Sequence, residues 1–199
     1  MYSVKNFYFV GFSLGAQLAG MISRMAYRKS GNQYMFPRIT ALDPVLPMPY
    51  VPFIRDLNEN DAEFVDIIHT DSSSSRIMGS VNFFPNGGSN QPSCNSTTTG
   101  TTNNNGETYM PDTMVAFFDG EFWNFLMIQF KYYWFIFDLS DNCSHNKAWK
   151  YFAQGVENKR FFTAKKCDSF TDYMTGRCDS NQLPGKMGFF AETKYVLII

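Results

Sequence analysis

The chain has 199 residues, a length that suits one domain or part of one. Hydrophobic residues make up 44% of it, including 21 Phe and 11 Tyr, so it holds enough apolar material for a core and disorder over most of its length is excluded. A net charge of −1, with Lys and Arg scattered rather than striped, gives no electrostatic basis for a nucleic-acid partner.

In chain order, Phe7-Tyr8-Phe9-Val10 predicts a buried strand and residues 16–27 an amphipathic helix, with Leu18, Ala19, Ile22, Met25 and Ala26 near helical spacing. Between them lies Gly11-Phe12-Ser13-Leu14-Gly15, a G-x-S-x-G pentapeptide. A strand, a glycine-flanked serine and a helix make the context a nucleophile elbow needs. Its turn tolerates almost no side chain at the glycines, pushes the serine hydroxyl out, and faces a helix N-terminus toward developing negative charge. The bland reading is a strand-to-helix turn whose glycines only relieve crowding. The correct flanks on both sides favour the elbow.

Ser30-Gly31-Asn32 should stop the helix. Arg38-Ile39-Thr40-Ala41-Leu42 predicts a short buried strand closed by Asp43-Pro44, and the prolines that follow make the chain irregular as far as Pro52. Strands are expected again at Phe64-Val65-Asp66-Ile67-Ile68-His69 and, with weaker alternation, at Val81-Asn82-Phe83-Phe84 before the turn Pro85-Asn86-Gly87-Gly88. Residues 95–106 are nearly all Asn, Ser, Thr and Gly and read as an exposed loop. The aromatic stretch 122–137 is too short and too interrupted for a transmembrane helix. Ser144 should cap a helix through about residue 154, with Gly155 ending it. Without a repeat or linker, residues 1–199 read as one partial domain.

The four cysteines, at 94, 143, 167 and 178, form no C-x-x-C pair, and there are only two histidines, so zinc-type spacing is absent. Two disulfides in an oxidising compartment are the better reading, with the connectivity open. Asn95-Ser96-Thr97 and Asn142-Cys143-Ser144 are N-glycosylation sequons that fit secretion, although Met1-Tyr2-Ser3-Val4-Lys5 does not begin a signal peptide.

A serine nucleophile needs a base, usually His, oriented by a carboxylate. His69 lies within a strand pattern, where a histidine is more often a hydrogen-bonded core residue. His145 comes late, two residues after Cys143, and is the better candidate. For the carboxylate, Asp43 ends the second strand, where Pro44 prevents continuation; the bland reading is an ordinary turn aspartate. Asp66 and Asp71 are weaker alternatives.

These residues carry a family resemblance. Val10-Gly11-Phe12-Ser13-Leu14-Gly15-Ala16-Gln17 with Ala19-Gly20 resembles the elbow of the animal pancreatic-lipase-like family, and Arg38 to Pro44 its acid strand. The block from Asn60 to Asp71 matches the family, as do Asn82 to Gly88 with Gln91-Pro92-Ser93-Cys94, then Cys143-Ser144-His145, and the stretches around Cys167, Cys178 and Met187-Gly188. The order is the family's, and the likeness is strongest to secreted insect lipases and phospholipases A1. The resemblance implies part of an α/β-hydrolase fold and carboxylic ester hydrolysis on lipid at an interface, without a redox or nucleotide cofactor or a membrane anchor. Ser13 would be the nucleophile, His145 the base, Asp43 its orienter and Leu14 an oxyanion-hole N–H donor. It also implies the pairs Cys94–Cys143, closing a lid loop over 95–142, and Cys167–Cys178. In some members a structural calcium sits before the strand that starts at Phe64. The matching side chains are Asn58 and Asp61, with carbonyls near Phe53 and Asp56, and Asn58 in place of an aspartate weakens the charge match.

Two departures stand out. Ser13 lies too near Met1 for an earlier βαβ unit, whose crossover takes about a dozen residues. The chain therefore reads as the C-terminal part of a longer secreted precursor, without the loop that supplies the family's second oxyanion donor. The lid is also longer than in relatives, and the excess near 120–137 reads as translated intron or as an aromatic, lipid-contacting lid. The apolar ending Val196-Leu197-Ile198-Ile199 departs from the family as well. The rivals to an enzyme are a non-catalytic lipase-like protein that binds lipid or serves as yolk-type storage, and an inactive truncated fragment.

Overall fold

The computed structural model describes residues 7–44, 55–71, 77–94, 143–157, 162–178, 185–191 and 196–198. The lid region 95–142 with its aromatic stretch, and Phe53, lie outside them. Among the described residues seven strands form one sheet: β1 (Tyr8–Phe12), β2 (Arg38–Leu42), β3 (Phe64–Ile68), β4 (Val81–Phe84), β5 (Phe162–Lys166), β6 (Gly185–Met187) and β7 (Val196–Ile198). Their order is β1-β2-β3-β4-β7-β5-β6. The pairings from β1 to β4 and on to β7 are parallel, while β5 runs antiparallel to both β7 and β6. Among the described residues, β1 is the outermost strand on its side.

Helices cover both faces. Alternation along each strand sends Phe9, Ile39, Ala41, Val65 and Ile67 to one face, where Ala16, Ala19 and Ile22 of helix α1 (Leu14–Lys29) pack on them. Phe12, Leu42, Ile68, Val81 and Phe83 face the other way, against Ala148 of helix α2 (Cys143–Glu157). This two-faced burial is what near-continuous apolar runs in a parallel sheet require. A short helix, α3 (Phe170–Met174), follows β5, with the Ser169 hydroxyl capping it at the Asp172 N–H, 3.1 Å.

Several boundaries differ from the sequence reading. β1 runs on through Gly11 and Phe12, because both still pair with β2 at Ala41 and Leu42. α1 starts directly at Leu14 and extends to Lys29, where its last carbonyls are taken up by Ser30 and Gly31. Ser144 does not cap α2. It lies inside the first turn, and its hydroxyl accepts the Gln91 N–H at 3.0 Å. Gly155 does not end α2 either: it is buried within the helix, where a glycine costs only about 1 kcal/mol and packing outweighs it. The apolar ending joins the sheet as β7.

A polar network links the start of β1, β2 and β3 on the α2 side. Arg38 Nε donates to Asp66 Oδ1 (2.8 Å), and Thr40 Oγ1 donates to the same oxygen (2.7 Å). Arg38 also donates to the carbonyls of Phe189 and Gly188 (2.7 and 2.8 Å), in the single 3-10 turn after β6. Burial pushes the Asp66 carboxyl above its ordinary range, although Arg38 and Thr40 pull it down.

Candidate active site

Ser13 sits between the end of β1 and the start of α1 with φ 55° and ψ −124°, a conformation that costs of order 1–3 kcal/mol for a residue with a side chain. The turn is fixed on both sides: Ser13 N–H donates to the Leu42 carbonyl (2.9 Å), and the Ser13 carbonyl accepts from Ala16 N–H (3.2 Å). Its tightness explains Gly11. A Cβ there would fall 2.6 Å from the Gly15 carbonyl oxygen and 2.7 Å from Ala16 Cα. The pentapeptide therefore folds as an elbow, with Leu14 the first residue of α1.

Asp43 follows β2 directly, and the register that places Phe12 beside Leu42 sets Ser13 and Asp43 at neighbouring strand ends. Asp43 has φ 43° and donates its N–H to the Ile68 carbonyl at 2.7 Å. One carboxylate oxygen, Oδ1, accepts the N–H groups of Thr70 (2.9 Å) and Asp71 (3.2 Å). The other, Oδ2, lies 2.5 Å from His145 Nδ1. Asp43 and His145 are each 5% exposed, so this pair is withdrawn from water. The His145 ring also packs on Phe12, the residue before Ser13, with centroids 4.5 Å apart. Strand ends and a helix start far apart in sequence thus converge on one side of the sheet.

The alternatives are placed elsewhere. His69 is 1% exposed, within 3.2 Å of Asn82 Oδ1 through Nε2, and stacked on Phe84 at 4.6 Å. Burial lowers its pKa from the ordinary value of 6.5, and its role is that of a hydrogen-bonded core histidine. Asp66 is committed to Arg38 and Thr40, and Asp71 gives its backbone N–H to Asp43. Two residues with no role assigned from sequence join the site. Thr70 donates its hydroxyl to the His145 carbonyl (3.3 Å) while its N–H holds Asp43. Gln91, fully buried, bonds to the Thr70 carbonyl at 3.0 Å. The sequence signal for them is their place within the family-matching blocks, Thr70 next to a strand end and Gln91 just before Cys94.

Cys94 pairs with Cys143 and Cys167 with Cys178, the pairing the resemblance implies. The first bridge joins the turn after Gln91 to the first residue of α2, two before His145. Closing 49 residues, it is worth about 4 kcal/mol in the chain-entropy account.

A family model described as Lipase matches residues 1–114. The chain belongs to the pancreatic-lipase-like family. Lipase member H of Rattus norvegicus is 32% identical to it over 182 residues, covering 89% of this chain and 31% of that protein. Pancreatic triacylglycerol lipase of Oryctolagus cuniculus is 31% identical over 204 residues, covering 96% of this chain and 37% of that protein. Pancreatic lipase-related protein 3 of Homo sapiens is 30% identical over 206 residues, with 96% and 37% covered. The chain thus spans about a third of the length of these relatives. As a member of this family it has the matching architecture, part of an α/β-hydrolase fold built on a mostly parallel sheet with flanking helices.

The calcium position implied by the resemblance has two side chains, Asn58 and Asp61, and both are already hydrogen-bonded within the protein. Asp61 Oδ2 accepts from Arg24 Nη1 (2.5 Å) and the Asn58 N–H (3.0 Å), and Oδ1 accepts from Arg55 Nη2 (2.7 Å). Asn58 Oδ1 is taken by the Asn60 N–H at 2.9 Å. Two guanidiniums on one buried carboxylate supply the positive charge a cation would bring, so these lipase-family residues do not fit calcium. Among the described residues no three His, Cys, Asp or Glu side chains cluster as metal ligands.

Proposed function

We propose that Ser13, His145 and Asp43 form a hydrolytic triad that cleaves carboxylic esters of lipids. The observation that carries this reading is the buried 2.5 Å contact between His145 Nδ1 and Asp43 Oδ2, with the imidazole packed on Phe12, the residue before the serine held at φ 55° in an elbow. A carboxylate on Nδ1 fixes the imidazole tautomer that leaves Nε2 as a base, and it stabilises the imidazolium that forms. Ser13 Oγ attacks the ester carbonyl as His145 takes its proton. The Leu14 N–H, at the positive end of α1, then donates to the developing oxyanion. Collapse breaks the ester C–O bond, the proton passes from His145 to the leaving alcohol, and an acyl-Ser13 ester remains. Water, deprotonated by His145, releases the fatty acid and restores Ser13.

The name of one relative, pancreatic triacylglycerol lipase, supports acylglycerol esters as the substrate class. Phospholipid esters, cleaved in the phospholipase A1 manner, are the alternative that the family resemblance implies, either of them met at a lipid–water interface. Two disulfides support an extracellular setting. No helix among the described residues is long and apolar enough to cross a membrane. Turnover of a short-chain fluorogenic ester, a triacylglycerol emulsion and phosphatidylcholine vesicles by this chain and by Ser13→Ala tests the reading. Hydrolysis abolished in Ser13→Ala supports it, and the better of the two lipids assigns the type. Equal release by both proteins rejects the triad, and vesicle binding without any release rejects it in favour of a lipid-binding role.

A further inference from the structure

Gln91 is 0% exposed, and its side chain spends its full hydrogen-bonding capacity inside the protein. Nε2 donates to the Thr70 carbonyl at 3.0 Å and to the Pro85 carbonyl at 2.9 Å. Oε1 accepts from Asn86 Nδ2 at 3.0 Å and from the Tyr151 hydroxyl at 3.2 Å. The backbone is equally committed: Gln91 N–H donates to Ser144 Oγ (3.0 Å), and its carbonyl accepts the Cys94 N–H (3.1 Å).

The destinations of these bonds set Gln91 apart from a merely stable core residue. On one side is Thr70, whose N–H fixes Asp43 Oδ1 and whose hydroxyl holds the His145 carbonyl. On the other side is α2, reached at Ser144 and Tyr151, which flank His145 in the helix. The third anchor is Pro85, at the end of β4. Gln91 thus bonds both to the residue whose amide supports the carboxylate and to the helix carrying the imidazole: its side chain reaches Thr70 and Tyr151, and its backbone N–H reaches Ser144.

We propose that Gln91 is a positioning residue for the Asp43–His145 pair. This rests on the hydrolytic reading above. It sets the separation between the Thr70–Asp71 amides and the start of α2, and so the length and angle of the Nδ1 to Oδ2 contact. Displacement by a fraction of an ångström would weaken that contact and misdirect Nε2 away from Ser13. Because geometry near reacting groups is steeply rewarded, a loss of roughly tenfold to a hundredfold in kcat is expected from a displacement well under 1 Å. KM should stay nearly constant, since no Gln91 atom meets the substrate.

Gln91→Met removes all four side-chain bonds at similar volume. Gln91→Glu keeps the acceptors facing Asn86 and Tyr151 but sets an oxygen against the Thr70 and Pro85 carbonyls, and it is the second variant if the first does not fold. Two readouts are needed. The first is the low-field proton resonance of the His145 Nδ1–H in the full chain, assigned by its loss in Asp43→Asn. It requires no turnover. The expected result is a resonance present in wild type and broadened or moved upfield in either folded Gln91 variant. The second is a double-mutant cycle in ester turnover between Gln91→Met and Asp43→Asn, in which a positioning role leaves little further loss once Asp43 is neutralised. An unchanged resonance, a wild type without one, or full additivity overturns the proposal. If Ser13→Ala hydrolyses ester as fast as wild type, the catalytic reading fails instead, and the resonance alone decides whether Gln91 holds the pair.

Discussion

The Phe12 ring lies against the His145 imidazole, with centroids 4.5 Å apart and planes tilted by 33°. Phe12 is 6% exposed and is the last residue of the strand that delivers Ser13, so the strand also walls the imidazole on one side. Phe12→Ala should cost about 3–5 kcal/mol by opening a cavity. Phe12→Leu keeps most of the volume, should cost under about 1.5 kcal/mol, and isolates the loss of the aromatic wall. The expected outcome for Phe12→Leu is a near-normal urea midpoint with reduced ester turnover, measured on the same preparation.

The charge arrangement at Asp61 makes a different prediction. With Arg24 and Arg55 on its oxygens, the loop before β3 should be indifferent to calcium. Thermal unfolding in excess chelator and in millimolar calcium should give the same midpoint. Arg24→Met should destabilise by roughly 3 kcal/mol, because it breaks a pair whose carboxylate is fully buried. Arg55→Ala should cost less than about 1 kcal/mol, since that side chain is 55% exposed. A calcium-dependent rise in the midpoint would show that a cation displaces the arginines.

Much of this architecture can be read from the sequence, for identifiable reasons. β1 to β4 announce themselves because apolar, β-branched and aromatic residues run together between turn residues, as burial on both sheet faces demands. The elbow is legible because two glycines and a serine have few other uses between a strand and a helix. The Asp43 and His145 positions follow from Asp-Pro closing a strand and from the histidine's place beside Cys143. What was not legible has physical causes. β5 buries only Ala164 among its five residues, and β6 and β7 have three residues each, too few for any periodicity. Ser144 has the look of a cap, but a disulfide and the Gln91 N–H fix that helix start instead. Thr70 acts through its amide and its carbonyl as well as its hydroxyl, and the Gln91 side chain donates to backbone carbonyls, and a residue's letter does not encode where a carbonyl points.

His69 gives a prediction in pH. Its folded pKa is lowered by burial, so below the ordinary value of 6.5 the unfolded chain binds a proton that the native state resists. Its contribution to stability is therefore complete above pH 6.5 and is lost as the pH falls below it, at no more than about 1.4 kcal/mol per pH unit. Urea midpoints of wild type and His69→Gln, measured from pH 7.5 to 5.0, should converge as the solution is acidified. A constant difference across that range would contradict the assignment of His69 as a neutral buried residue.

A Ser13 activated by His145 as a nucleophile would be trapped by a covalent serine reagent. Labelling this chain with an alkyl fluorophosphonate, followed by peptide mass spectrometry, tests it without requiring the natural lipid. One adduct is expected, on Ser13, formed rapidly in wild type, slowed by orders of magnitude in His145→Ala and absent in Ser13→Ala. An unlabelled wild type, or an adduct that forms equally fast without His145, would contradict it.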